Sequence, residues 1–230
     1  MTGEPIPYSI SNDNLILSLY VLGLLMMAYT LMHDGSSIVE RIKSMFYYKG
    51  QSVPFNTRAG ISKMGSFTLY ASAVFYSSVI TFAHLQQSTP AAAKGNMMVF
   101  AATALLFVLF LAVKFLVYEF INRTLFSEKQ ASEWTLSYFF TIKLSGILLL
   151  PLASALILLP SVFTAFVWAY LAIVGLIYFL VLSLRCFNII FYKSFYFLDI
   201  FLYLCAIELL PLFPLWQVLQ QTNLFLMIKF

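Results

Sequence analysis

Five ionisable side chains, Lys114, Glu119, Lys143, Asp199 and Glu208, lie inside stretches otherwise built of apolar residues. At the centre of a bilayer such a group costs roughly 2.5–3.5 kcal/mol on insertion scales, so each needs a partner or a purpose. The chemistry open to them is ion pairing, the lining of a polar cavity, or proton relay through a carboxyl. Depth sorts them. Glu119, Lys143 and Asp199 fall near the expected ends of their stretches. Lys143 has a stem long enough to snorkel to the interface. Glu119 has Arg123 four residues on, the same-face spacing for an ion pair. Lys114 lies deeper, and Glu208 deepest. Asp199 and Glu208 are nine residues apart, about 900° on a regular helix, which puts them on opposite faces and excludes a dyad within one helix. Lys114 and Glu119 diverge by about 140°. Lys114 therefore needs a partner from another helix, with Asp199 and the surroundings of Glu119 as candidates. For Glu208, desolvation favours a neutral, protonated carboxyl, with proton relay as the functional alternative.

The elements that hold these residues are long and apolar. The chain is 62% apolar and 10% charged, with a mean hydropathy of +0.91. An average soluble domain carries about 25% charged residues, so the surface here must face lipid. A spanning helix needs about 20 apolar residues. Six stretches meet that need, at 14–32, 67–84, 97–121, 139–159, 162–184 and 195–210. The first is closed by His33, Asp34 and Gly35, and Pro151 lies inside the fourth. Pro160 and Ser161 make a tight turn, and Pro211 and Pro214 follow the sixth. The tail 215–230 is apolar but interrupted by Gln217, Gln220, Gln221 and Asn223, the pattern of a partly dipped helix. The reading is all-α: one membrane domain over 1–230, a polytopic bundle of about six transmembrane helices plus a short cytoplasmic interfacial helix. Residues 1–13 hold Glu4 and Asp13 and no Lys or Arg, which argues against a cleavable signal.

Positive charge is sorted by gap. The first, third and fifth gaps hold Arg41, Lys43, Lys49, Arg58, Lys63, Arg123, Lys129, Arg185 and Lys193. Only Lys94 and Lys229 fall on the other side. Lys and Arg are retained in the cytoplasm during insertion, so both termini are expected in the periplasm of a bacterial inner membrane.

Within the amphipathic loop 34–66, Ile38, Val39, Ile42, Met45 and Phe46 recur at helical spacing. They predict a short helix in the cytoplasmic interface, either a plain connector or a docking surface for a partner or anionic lipid. Tyr47 and Tyr48 would sit at headgroup depth. Trp134, Tyr138, Tyr192 and Tyr196 read as a cytoplasmic aromatic belt, and Trp216 as its outer counterpart. Ala165, Ala169, Ala172 and Gly175 form a smooth stripe that lets another backbone approach. The hydroxyls of the second stretch (Thr68, Ser72, Ser77, Ser78, Thr81) are expected to bond the preceding turn or face other helices. Pro151 frees one carbonyl and is expected to bend its helix.

Several motifs of catalysis and metal binding are missing, which lowers the enzyme and transporter readings without excluding them. His33 and His84 fall on opposite sides of the membrane and cannot share a metal. Cys186 and Cys205 are buried thiols outside any CxxC. There is no HExxH, P-loop or Asp-rich pyrophosphate motif, so no catalytic, metal or cofactor residue is assigned. No basic stripe interleaved with aromatics points to nucleic acid.

The stretch FYFLDIFLYLCAIELLPLFPLWQVL, with its Cys205-x-x-Glu208 and Pro211, resembles the C-terminal segment of an uncharacterised integral-membrane family found in Bacteroidota, a domain of unknown function. KFLVYEFINRTLF, opening on Lys114, and GILLLPLASALIL, opening on Gly146, resemble its middle segments in order and spacing. Lys114, Glu119 and Glu208 match positions characteristic of that family. The resemblance implies a multi-pass inner-membrane protein of a diderm bacterium and carries no activity with it. The functional expectation is a non-enzymatic subunit or accessory factor of a membrane complex, with lipids and other membrane subunits as partners. The alternatives are a small proton- or solute-coupled carrier using Glu208 and Lys114, and a lipid-acting enzyme built from Lys143, Glu133 and Asp199.

Overall fold

The computed structural model describes residues 13–46, 60–87, 97–125, 128–159, 164–189, 202 and 204–229. Their regular structure is helical throughout: α1 (Asn14–Phe46), α2 (Lys63–Gln87), α3 (Met97–Leu125), α4 (Glu128–Leu158), α5 (Thr164–Ile189), a π-turn (Cys205–Leu209) and α6 (Leu212–Lys229). Helices α1 to α5 are long and apolar enough to cross a membrane. Apolar solvent leaves the backbone no outside partner, which is why the chain resolves into helices that satisfy their own amides. Residues 195–201 and 203 of the expected sixth span lie outside the described residues.

Several polar groups mark helix ends and helix contacts. The Asp13 carboxylate accepts from Leu15 N at 3.1 Å and starts α1. Ser62 caps α2, its Oγ accepting from Gly65 N at 2.9 Å. The Ser62 hydroxyl in turn donates to Asp34 Oδ2 at 2.6 Å, and Ser62 N donates to the same oxygen at 3.3 Å. Asp34, expected as part of the close of the first span, instead ties mid-α1 to the start of α2. A Cβ at Gly65 would overlap the Asp34 carboxylate, so glycine is required there.

Gly35 does not interrupt α1. The helix expected at 38–46 is the last part of one continuous helix of 33 residues. Ile38 and Met45 are buried and Ile42 partly buried in the main core, while Val39 and Phe46 are exposed. Ile38, Ile42 and Met45 of this segment thus pack on the protein, and Val39 and Phe46 do not. Likewise α4 begins at Glu128, well before the expected 139.

Successive helices run antiparallel. Asp34 meets Ser62, Phe82 meets Phe100 in a T-shaped contact at 5.6 Å, Asn122 Nδ2 donates to Thr135 Oγ1 at 3.1 Å, and Tyr170 Oη donates to Leu148 O at 2.7 Å. One core joins α1, α2 and α4, with Val99 and Phe100 from α3 and Val174 from α5. A second joins α3, α4, α5 and the segment from Leu204 to Ile207. Arg41, Lys43, Lys63, Arg123 and Arg185 consequently share one end of the bundle, and His33 lies toward that end. His84 is far along α2 in a ring cluster with Trp168 at 5.2 Å and Trp216 at 5.5 Å.

Helices α2 and α4 approach closely. A Cβ on Gly146 would lie 2.5 Å from Ser72 Oγ and 2.8 Å from Ala73 N. Small residues allow this approach where lipid supplies no hydrophobic drive. The stripe predicted on α5 does not serve that role within the chain. Ala169, Ala172 and Gly175 face outward, and nothing lies within 4 Å of a Cβ at Gly175. The side chain of Ala165 is outside the described set. The hydroxyls of α2 behave as expected: Thr68, Ser72 and Ser78 donate to carbonyls three or four residues back. Helix α4 continues through Pro151. Proline cannot donate to Ile147 O, and the Tyr170 hydroxyl reaches the next carbonyl, Leu148 O.

Gly146→Val should lower the unfolding midpoint in detergent, at a cost of about 1–3 kcal/mol for overpacking. Gly175→Ala should leave it unchanged or slightly higher. Thermal unfolding of both variants beside the parent checks this, and equal effects would contradict the packing described.

Candidate functional site

The second core encloses the deepest charges. Lys114 and Glu208 are 7% and 5% exposed, too buried for bulk water to neutralise either. Lys114 Nζ donates to Glu208 Oε2 at 2.5 Å. The Tyr118 hydroxyl donates to the other carboxylate oxygen. Tyr178, partly buried on α5, brings its hydroxyl within interaction range of Glu208 and of Tyr138. The Tyr118 and Tyr138 rings stack at 4.0 Å with 25° between planes. The ammonium also lies 5.4 Å from the centre of the Phe110 ring and 5.6 Å from that of Tyr138, on the negative side of the aromatic quadrupole.

The backbone explains how Glu208 arrives there. Pro211 cannot donate to Ile207 O, and its ring would clash with that carbonyl in a regular helix. The chain widens one turn instead, and Leu210 N bonds Cys205 O at 3.0 Å, five residues back. Pro214 removes the next donor in the same way, and Phe213 N reaches Leu210 O at 3.3 Å. Single π-turns inside α-helices often mark functional sites. Here the turn holds Glu208, and a regular 100° step does not apply across it. Face arguments between Asp199 and Glu208 therefore fail at this point, and Asp199 itself lies outside the described residues.

Among the described residues the partner of Lys114 is thus Glu208, 94 residues away, not the neighbourhood of Glu119. The expectation of a neutral, protonated Glu208 did not weigh this ammonium beside it. Glu119 and Arg123 do pair, at 2.5 Å, but Arg123 is 74% exposed. Such surface pairs contribute at most about 1 kcal/mol. Lys143 is bound by Ser66 and Tyr70, whereas Glu133 acts on the buried Arg185. The structure therefore does not bring Lys143 and Glu133 together as an enzyme constellation.

Trp134 and Tyr138, read as belt anchors, are fully buried. Their amphipathic rings line the polar core instead of the headgroup layer. Tyr192 and Tyr196 lie outside the described residues, as do Tyr47 and Tyr48. Sequence reasoning missed Tyr118 and Tyr178 altogether. Tyr118 stands four residues after Lys114, a same-face spacing that was available as a signal. Tyr178 carried no such local signal.

Five membrane-length helices around a buried ion pair define a multi-pass helical membrane protein. The chain belongs to the family described as Domain of unknown function (DUF4271), whose model matches residues 16–219. Comparison with curated proteins and with solved structures returned no match.

Removing one partner of a buried pair leaves an uncompensated charge and costs about 3–5 kcal/mol. Lys114→Met and Glu208→Gln should each destabilise the protein strongly, and the double variant should lose less than the sum. A double-mutant cycle of unfolding in detergent measures this coupling. Additive losses would show that the two groups do not act as a pair.

Proposed function

We propose that this protein is a non-enzymatic integral-membrane component that works within a larger inner-membrane assembly. The carrying observation is the contrast between its interior and its outer wall. Inside, the Glu208 carboxylate is engaged by Lys114, Tyr118 and Tyr178. Such an arrangement holds the last helices to α3 and α5. Outside, the small-residue face of α5 at Ala169, Ala172 and Gly175 is uncovered. That surface suits close approach by another transmembrane helix. Gentle extraction should recover a stable heteromeric complex, identified by mass spectrometry of the co-purified chains. Recovery only as a monodisperse monomer would remove this reading.

A second reading draws on the π-turn. A carboxylate held in a locally widened turn just before two prolines is placed to change partners during proton-coupled transport. Reconstituted vesicles should then show a proton or solute flux that Glu208→Gln abolishes. Flux that survives the substitution would eliminate Glu208 as the carrier group.

The basic end of the bundle supports a cytoplasmic assignment for that face, with both termini periplasmic. Cysteine labelling in cells should find positions 58 and 193 on the cytoplasmic side and position 94 on the opposite side. Labelling of positions 58 and 193 from different sides would refute the topology.

A further inference from the structure

The end of the bundle away from the basic cluster holds a histidine in an aromatic setting. His84 lies in the last turn of α2, Trp168 near the start of α5 and Trp216 near the start of α6. The imidazole centre is 5.2 Å from the Trp168 ring centre, with the planes at 80°. It is 5.5 Å from that of Trp216, with the planes at 39°. One imidazole thus bridges two indoles that belong to two other helices. His84 and Trp216 are half-buried and Trp168 is 51% exposed, so the cluster is open to the surrounding medium. Trp216 stands eight residues after Glu208. The bridge therefore holds the far end of the segment whose near end is held by the buried ion pair.

Among the described residues the imidazole meets no charged group. On α1, the Asp13 carboxylate lies toward the same end and accepts from Leu15 N and Ile16 N. On α4, no ionisable residue follows Lys143. On α3 and α5, Lys114 and Arg185 each stand seventeen residues from the near end, Met97 and Trp168, about 25 Å along the axis. Tyr170, two residues after Trp168, gives its proton to Leu148 O. On α6, Glu208 is engaged by Lys114, and Lys229 comes thirteen residues after Trp216, about 20 Å on. Imidazole is the side chain whose charge ordinarily changes between pH 5 and 8. Neutral, it packs on the indoles as one ring on others. Protonated, it is a cation within reach of two indole faces, the strongest aromatic acceptors of positive charge. Burial opposes the charge, but a half-buried ring keeps part of its hydration, and the attraction to the indoles prevails.

We infer that His84, Trp168 and Trp216 form a pH-sensitive clasp. Acid charges the imidazole, and the charged ring draws α6 more firmly to α2 and α5. The clasp rests on neither functional reading above, and its test does not depend on which side of the membrane this end faces.

The test follows the unfolding midpoint of the full chain in a neutral maltoside detergent at pH 7.5 and pH 5.5. Every variant keeps His33 and the carboxylates, so their pH response cancels in the comparison. Acid should raise the parent's midpoint by about 2–5 °C relative to the response of His84→Gln. Trp216→Leu should lose that increment, and Trp168→Leu half of it or more. Trp216→Phe, with a weaker face for a cation, should keep only part. The double variant His84→Gln/Trp216→Leu should lose no more than His84→Gln alone. Tryptophan emission should fall in acid for the parent and stay level for His84→Gln, which reports the protonation itself. An increment of opposite sign, or one undiminished in both Trp216→Phe and Trp168→Leu, would overturn the clasp. Emission that ignores pH in the parent would overturn it too. Should Trp216→Leu fail to fold, Trp216→Phe and Trp168→Leu decide.

Discussion

A carboxylate and an ammonium that share an apolar interior have to meet. Neither is stable alone in a medium that cannot solvate it, and their attraction is strongest where the dielectric is low. Lys114 and Glu208 obey this across 94 residues of sequence. Their contact brings the C-terminal segment against α3, and Tyr178 extends the cluster to α5. The tyrosines matter because a carboxylate has more acceptor sites than one ammonium can fill. Without that contact, the apolar surface of the last helices would be equally content in lipid.

The same constraint recurs in milder form elsewhere. Asp34 is buried, and its oxygens take the amide and hydroxyl of Ser62, completing the cap of α2. Tyr20 Oη donates to Ser154 Oγ at 2.7 Å, and Ser154 Oγ donates to Leu150 O. In each case a polar group marks a helix contact, and each contact fixes the level of one helix against another. Between these tie points, packing is decided by size. Gly146 lets α4 lie against Ser72 and Ala73, an approach that any larger side chain would prevent.

Much of this was legible in the residues. Long apolar stretches announce membrane helices, because nothing else satisfies the backbone in lipid. The Glu119–Arg123 pair and the back-bonded hydroxyls of α2 follow from local spacing alone. What failed was inference about orientation around a helix. The Ala169–Gly175 stripe meets no helix of this chain, and Gly146, without any stripe, is where backbones approach within it. Trp134 and Tyr138 have the residue types of a belt but occupy a polar core. Amphipathic rings suit either setting, and composition does not say which side of a helix meets protein.

From sequence alone came the solvent, the helical class, the alternation of charge along the chain and the identity of the ions that need partners. These follow from transfer energies and one-dimensional order, which a linear text carries. Which ion meets which was decided only by the tertiary arrangement. Pro211 forces a widened turn, and that turn redirects Glu208 by an amount no regular periodicity contains. A pairing between residues 94 apart depends on how α3, α4, α5 and the C-terminal segment rotate against each other, and that rotation is a property of the packed bundle.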